Sequence, residues 1–382
     1  MLLDLGQPLC RCGSNEDMLP DIAGLVGGLN PDFLGIVVSH PHLDHYGLLS
    51  RVHASTPIYL GEEALRILRA SRPFTEFGMD LPGSRTYRDQ VPFDLGAFRI
   101  TPFLVDHSAF DSYSFLIEAS GRKIFYSGDF RAHGRKAWTF NRLLEEPRIK
   151  GVDVLLVEGT HLSRNPASAK TESALEDDIV SAISKTPGIV LACFSPQNID
   201  RFVTFWKAAG RSGRTFVADA YLANILHALN RPSLPKPQVF LPKGMRTKLI
   251  RDNEAAIVNP FYSRRIYPET IQERANELVL LFRPTMISEL KALKCLTEGR
   301  LIYSQWPGYL ERDNHRLKNF CAQQGIVFEV LHTSGHADVP TLVGLIGAID
   351  ARRVIPVHTD APERLGDLVH NCTLVENSWI EC

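Results

Sequence analysis

Residues 39–47 read "SHPHLDHYG" and follow directly on the apolar run "LGIVV" (34–38). An apolar, β-branched run of this kind reads as a strand, and the polar residues after it as the loop at its end. Three histidines and an aspartate within His40–His45 are too crowded to converge on one tetrahedral ion, but two neighbouring ions can share them. His40 and His42 can face one ion while Asp44 and His45 turn toward a second. Imidazole and carboxylate ligands suit zinc, with manganese an option when more oxygen donors join.

A paired site needs more ligands, and strand ends elsewhere offer them. "FLVDHSAFDSYSF" supplies His107, "FYSGDFRAHG" supplies Asp129 and "RVIPVHTDAPE" supplies His358, each after an apolar run and before loop-forming residues. A lone His or Asp at a strand end is more often a surface or capping residue than a ligand. The joint occurrence with "HPHLDH" changes that weighing, because scaffolds present functional groups at such ends.

Composition bounds the rest. At 382 residues, 44% apolar and 22% charged, the chain is ordinary globular material, long enough for about two domains. It has no apolar run long enough for a membrane helix, and the start "MLLDLGQPLCRCGSNED" lacks the basic, then apolar pattern of a signal peptide, so a cytoplasmic protein is expected. The seven cysteines (Cys10, Cys12, Cys193, Cys295, Cys321, Cys372, Cys382) are scattered without CxxC spacing, which argues against a disulfide framework and a zinc knuckle. Cys10 and Cys12 are a weak metal signal; plain thiols are the expectation.

Strands are expected at "GIVVS" (35–39), "RITPFLV" (99–105), "YSFLIEA" (113–119), "KIFYSG" (123–128) and "VDVLLVE" (152–158), with helices near Ala64–Ala70, Ala137–Glu146 and Glu172–Ser184. From about 166 the rhythm becomes strictly βα: "GIVLAC" (188–193), "TFVAD" (215–219), "LVLLF" (278–282) and "RLIYS" (300–304) alternate with helical runs, as in a parallel sheet covered by helices. "RPSLPKPQVFLPKG" (231–244) reads as a loop within this region, and "RVIPVH" (353–358) as a last strand. Between Pro166 and Leu331 there are 22 Lys and Arg against 16 Asp and Glu, a balance of +6; the remainder has 20 against 27, a balance of −7. A basic middle between acidic ends points to a segment that meets polyanions beside one that holds cations.

"SHPHLDHYG", "VDHSAFDS", "SGDFR" and "PVHTD", with Asp4 in "LLDLG", resemble the successive motifs of the metallo-β-lactamase fold. The resemblance implies an αββα sandwich in which His40, His42 and His107 bind one zinc, Asp44, His45 and His358 the other, and Asp129 bridges. Glu158 in "LLVEGTHLSR" and His336 in "LHTSGHADVP" resemble the extra motifs of the β-CASP branch, and within it the ribonuclease J-like exonucleases and endonucleases. This implies a lactamase domain in two parts, 1–165 and 332–382, with an inserted β-CASP parallel α/β domain at 166–331. Two departures from the family pattern stand out. The chain starts at the "LLDLG" strand without the preceding strand pair and glycine-rich turn, so an incomplete sheet edge or a clipped reading frame is expected. The C-terminal domain of the larger relatives is absent, so their assembly does not carry over and a homo-oligomer remains open.

The activity implied is zinc-dependent hydrolysis of RNA phosphodiesters by a hydroxide held between two Zn2+ ions (Mn2+ being an alternative), leaving a 5′-phosphate and a 3′-hydroxyl. Asp44 would orient the nucleophile, and His336 would protonate the leaving oxygen with Glu158 fixing its tautomer. In the resembling family a histidine at the His358 position accompanies RNA rather than DNA substrates, so single-stranded RNA is the expected partner. Lys243, Arg246, Lys248, Arg251, Arg264 and Arg265 are candidate phosphate contacts, each singly more often a solvated charge. Ser334, Asn198 and Arg201 are weaker phosphate candidates; "FSPQNIDR" (194–201) sits at a strand-to-helix junction, where Ser195 or Asn198 serves equally well as a helix cap. Three competing functions are a DNA nuclease, a small-molecule metallo-hydrolase such as a lactonase or thioesterase, and an inert scaffold for RNA processing. The long insertion and His336 speak against the second, and the full set of ligand positions against the third.

Overall fold

The computed structural model describes residues 1–7, 19–28, 30–163, 169–312 and 315–375. They form two compact units: Met1–Leu68, Met79–Ala169 and Gly335–Cys382 make the first, Arg69–Gly78 and Lys170–Ser334 the second. Cys10, Cys12, Cys382 and the 165/166 boundary read from the sequence lie outside the described residues. Cys193, Cys295, Cys321 and Cys372 are free thiols.

The chain begins with β1 (Leu2–Leu3), β2 (Ile36–Val37), α1 (Leu43–Tyr46), β3 (Ile58–Gly61), α2 (Glu62–Ser71) and β4 (Arg85–Tyr87). Among the described residues β1 to β4 form a parallel sheet in sequence order. Next come β5 (Phe93–Leu95), β6 (Phe98–Val105), β7 (Ser112–Ala119), β8 (Arg122–Tyr126), α3 (Trp138–Glu145) and β9 (Val154–Glu158).

The second unit then contributes α4 (Glu172–Ser184), β10 (Val190–Cys193), α5 (Ile199–Arg211), β11 (Thr215–Asp219), α6 (Ala220–Leu229), β12 (Gln238–Phe240), α7 (Lys243–Arg251) and β13 (Arg265–Ile266). It continues with α8 (Pro268–Glu273), β14 (Leu278–Leu281), α9 (Ile287–Leu293), β15 (Arg300–Tyr303), α10 (Gly308–Arg312), α11 (Arg316–Gln324) and β16 (Val327–Val330). The chain returns to the first unit as α12 (Val339–Ile349), β17 (Arg353–Val357) and α13 (Glu363–Gly366).

The second sheet of the first unit has the order β17-β9-β8-β7-β6-β5. Pairing is antiparallel from β5 to β8 and parallel from β8 through β9 to β17, so β6, β8, β9 and β17 run in one direction. Their C-terminal ends therefore share one edge of the sheet.

Side chains alternate across each strand, and here both faces are apolar. Val37 packs inward with Tyr59, Tyr87, Ile100, Phe115 and Tyr126, filling the space between the two sheets. Its neighbours Ile36 and Val38 face Leu65 and Leu68 of α2 on the outside. On the far side, Phe103, Phe125 and Leu155 meet Leu143 of α3 and Leu342, Leu345, Ile346 and Ile349 of α12, the spacing of one helix face. The layers are thus helix, sheet, sheet, helix: the αββα sandwich expected from the sequence.

The second unit is a wholly parallel sheet in the order β13-β12-β11-β14-β10-β15-β16. Its central strands, "VLAC" and "LVLL", are buried throughout, as strands covered on both faces must be. Leu290 of α9 and Phe320 of α11 cover one face together with Leu191 and Leu280. Phe202 and Phe205 of α5 pack against Phe194 and Phe216.

One reading needs correcting. "RPSLPKPQVFLPKG" is not wholly loop: Gln238–Phe240 form β12, and Lys243 opens α7. Pro237 and Pro242 flank this strand without interrupting its ladder, where a missing N–H costs nothing. No described helix is long and apolar enough to cross a membrane.

Candidate metal centre

The shared edge of the second sheet delivers His107 after β6, Asp129 after β8, Glu158 at the end of β9 and His358 after β17. The parallel sheet delivers His40 three residues beyond β2, and the chain then turns into α1 with His42 at its N-cap and Asp44 and His45 inside its first turn. A four-residue helix is held by its surroundings rather than by its own propensity. The Leu5 and Gln7 N–H groups donate to the carbonyls of His45 and Leu43, each at 2.8 Å. The segment crosses α1 so closely that a Cβ on Gly6 would lie 1.6 Å from the Asp44 carbonyl oxygen.

Among the described residues four groups of donor atoms come within reach of one another: His40, His42 and His107; His40, His45 and Asp129; Asp44, His45 and His358; and Asp129, Glu158, His336 and His358. All nine residues read from the sequence as metal ligands or catalytic groups belong to this cluster; Ser334, read as a phosphate contact, is the last residue of the second unit. His40 stands at the junction of two groups rather than with His42 alone, a sharing that spacing along the chain does not reveal.

The rings are oriented from behind. His107 donates from Nδ1 to the Gly335 carbonyl, which leaves Nε2 with its lone pair toward the cluster, 3.1 Å from His42 Nδ1. His45 donates from Nδ1 to Asp4 at 2.8 Å and turns Nε2 to Asp129 at 3.2 Å. Asp4 also accepts from Ser39 N–H (2.6 Å), Ser39 Oγ (2.8 Å) and the Tyr126 hydroxyl (2.7 Å). His358 pairs through Nδ1 with Thr160 Oγ1 at 2.9 Å and lies 3.4 Å from Asp44 through Nε2. Carboxylates and hydroxyls behind imidazoles are the usual means of fixing the tautomer that a metal needs. Asp4 as the holder of His45, and Thr160, went unread as such; the one available signal was the aspartate of "LLDLG".

Two positive backbone angles place groups at the centre. Gly128 (φ +53) turns the chain between β8 and Asp129, and a Cβ there would sit 2.6 Å from the Tyr113 carbonyl. His358 itself takes φ +52, a left-handed conformation uncommon for a side chain of this size.

Burial and charge divide the histidines. Burial, with neighbouring imidazoles, holds His40 and His107 well below their ordinary value, and burial brings His42 to about 4 against the pull of Asp44. Burial opposes charge on His45 and His358 too, but the Asp129 carboxylate outweighs it; His45 is held well above the ordinary value and His358 at about 9. Burial works to raise Asp44, yet its bond to His358 and the nearby His45 bring it down to about 2.

The donor set fits a metal on one further test. His40 Nε2, His45 Nε2 and both oxygens of Asp129 are buried with no hydrogen-bond partner among the described residues. Buried polar atoms left unpaired are costly unless a ligand meets them. Four such atoms within one cluster of imidazole and carboxylate are what a divalent cation requires.

Glu158 accepts from Phe130 N–H at 2.9 Å and meets His336 Nδ1 at 3.0 Å. The His336 side chain keeps 20% of its surface exposed while Glu158 keeps 2%, so the imidazole is the member that substrate can touch. Burial disfavours its charge, but Glu158 and Asp129 outweigh that and hold it above its ordinary value.

The phosphate candidates of the second unit fare differently. Asn198 caps α5, accepting from Arg201 N–H at 2.9 Å. Arg201 is 1% exposed and donates to Glu172, Ser304 and Thr333, so it is an interior residue and not a surface phosphate contact. In the basic run, Lys248 and Arg251 pair with Asp252, and Arg264 donates to the Pro237 carbonyl.

Residues 28–188 match the family model of the "Beta-lactamase superfamily domain". The matched stretch carries His40, His42, Asp44, His45, His107, Asp129 and Glu158; His336 and His358 lie beyond it and join the cluster through the fold. Among solved structures, the chain is similar to a crystal structure of a protein of unknown function from Enterococcus faecalis V583, with a TM-score of 0.76 at 20% identity over 98% of this chain and 91% of that one. At that identity the likeness concerns the fold. Residues 28–188 thus resemble a β-lactamase superfamily domain, and that match together with the buried His and Asp cluster points to a metal-dependent hydrolase.

Proposed function

We propose that the protein is a zinc-dependent ribonuclease that hydrolyses phosphodiesters of single-stranded RNA to a 5′-phosphate and a 3′-hydroxyl. The observation that carries this reading is the Glu158–His336 pair beside the donor cluster, at 3.0 Å from each other and with His336 Nδ1 3.6 Å from Asp129. A phosphodiester expels an alkoxide, and an imidazole able to hold a proton beside the metal ligands is placed to protonate it.

His40, His42 and His107 would hold one ion and Asp44, His45 and His358 the other, with Asp129 facing both. Bound divalent ions lower the pKa of water and offset the charge of a phosphodiester. The chain's own residues do the rest. Asp4 and Thr160 keep His45 and His358 in their ligating tautomers, and Asp44 orients the attacking water. Glu158 accepts a hydrogen bond from His336 Nδ1–H and favours the protonated imidazolium, whose second proton, on Nε2, is the one available to the leaving oxygen. The net charge of +6 between Pro166 and Leu331 supports a polyanionic substrate.

The test is cleavage of end-labelled RNA bearing a 5′-monophosphate or a 5′-hydroxyl, beside matching single-stranded DNA, by the wild type and by Asp44→Ala with zinc or manganese supplied. RNA cut by the wild type alone is the expected result. DNA cut in preference to RNA would move the reading to a DNA nuclease. Turnover of a lactone or thioester with both nucleic acids intact would overturn it.

A further inference from the structure

The second unit contains a cavity of about 600 Å³, a volume in the range of small-ligand sites, between the last turn of α5, the start of β11 and the proline-rich segment before β12. Trp206, Lys207, Gly210, Arg214, Lys236 and Pro237 line it. Nothing in the hydrolase reading uses them.

The indole is not part of the helix's buried face. On α5 the buried face is Ile199, Phe202, Phe205, Ala208 and Ala209. Trp206 falls on the opposite face, 41% exposed, with Lys207 and Gly210 beside it. Glu176 and Arg211 also line the cavity, and Arg211 is shared between Glu176 at 2.9 Å and Asp177 at 2.8 Å. Lys207 and Lys236 make no ion pair among the described residues, and Arg214 is anchored by the carbonyls of Thr186 and Gly188. An aromatic platform edged by three cations that make no ion pair among the described residues therefore opens on a cavity with a glycine in its helical wall.

We propose that this cavity is a nucleotide-binding site, with a base stacked on Trp206 and its phosphate held by Lys207, Arg214 and Lys236. Stacking on indole and phosphate contact with Lys and Arg are the two general means of holding a nucleotide without reading its sequence. The ligand is a free mononucleotide or one nucleotide of a single strand; the chemistry is the same. The site stands or falls separately from the histidine cluster.

The experiment titrates the full chain, in EDTA so that nothing is cleaved, with AMP, with a ten-residue oligoadenylate and with inorganic phosphate, following tryptophan emission. Saturable quenching by AMP or the oligonucleotide is expected, with the quench absent in Trp206→Phe. Lys207→Glu with Lys236→Glu should raise Kd at least tenfold. Gly210→Leu should do the same without touching a charge, because a Cβ at Gly210 meets nothing within 4 Å and the side chain grows into the cavity. Tighter binding of the oligonucleotide than of AMP identifies a strand, and the reverse a free nucleotide. Absence of quenching, competition by phosphate equal to that of AMP, or an unchanged Kd in a folded Gly210→Leu protein would overturn the proposal. Cleavage of RNA by a protein that fails this titration would leave the hydrolase reading intact.

Discussion

Two buried polar clusters, one in each unit, are spent in opposite ways. In the second unit Arg201 is 1% exposed, and its guanidinium donates to the Glu172 carboxylate and to the Ser304 and Thr333 carbonyls. In the first, Asp129 is 2% exposed and neither oxygen accepts a hydrogen bond among the described residues. A buried charge whose bonding capacity is consumed by the protein is part of the scaffold. One whose capacity is left over, facing other unspent donors, is waiting for a ligand. Burial alone does not tell them apart; the account of hydrogen bonds does.

The contrast can be broken most directly at Asp129. Asp129→Asn should lower hydrolysis about 10³-fold, the scale of removing a preorganised charge from a reaction centre, and should empty the protein of bound metal on elemental analysis. Its melting temperature in EDTA should move less than that of Arg201→Met. The latter should lose about 3 kcal/mol in a urea titration, because Glu172 is left as an uncompensated buried charge. Equal destabilisation by the two would erase the distinction.

A smaller effect should separate ligand from support. Asp4→Asn keeps the shape behind His45 but weakens the carboxylate that fixes it, so zinc affinity measured by chelator competition should fall about 10- to 100-fold. Smallest is Asp338→Ala, which removes the cap of α12 and should cost about 1 kcal/mol. Burial works to raise the Asp338 carboxyl, yet hydrogen bonds from the Thr341 side chain and from the N–H groups of Ala169 and Thr341 outweigh it and hold it below the ordinary range. A depressed carboxylate stabilises above its unfolded value and loses that contribution as pH falls through the folded one. The deficit of Asp338→Ala should therefore be full at neutral pH and shrink in acid, below about pH 4.

Much of this was legible because the informative residues sit next to strong local signals. His40 to His45 follow a β-branched run, and His107, Asp129, Glu158 and His358 follow others, so strand ends could be recognised and the residues there singled out. What escaped depends on distance. Asp4 sits next to a two-residue strand whose partners, Ser39, His45 and Tyr126, are up to 122 residues away, and nothing near it marks a hydrogen-bond hub. Strands as short as Phe93–Leu95 and Arg265–Ile266 carry too few side chains for a period to register. The grouping of Arg69–Gly78 with the second unit was equally silent, since it begins inside a helix that starts in the first. Prolines misled once, because they flank β12 rather than interrupt it.

The Asp338 carboxylate has a last consequence. One oxygen holds the N–H of Thr341 and the other that of Ala169, at 3.0 and 2.9 Å. Ala169 is where the chain leaves the first unit, and Asp338 lies just after it returns. Departure and return are thus stapled at one point, so the path of the sandwich is the same whatever the length between them. Loop closure grows only slowly with length, and insertions are accepted best where two ends already lie together. A change of length inside the second unit should therefore cost the first unit little, and the strands that carry His107, Asp129 and His358 should keep their register.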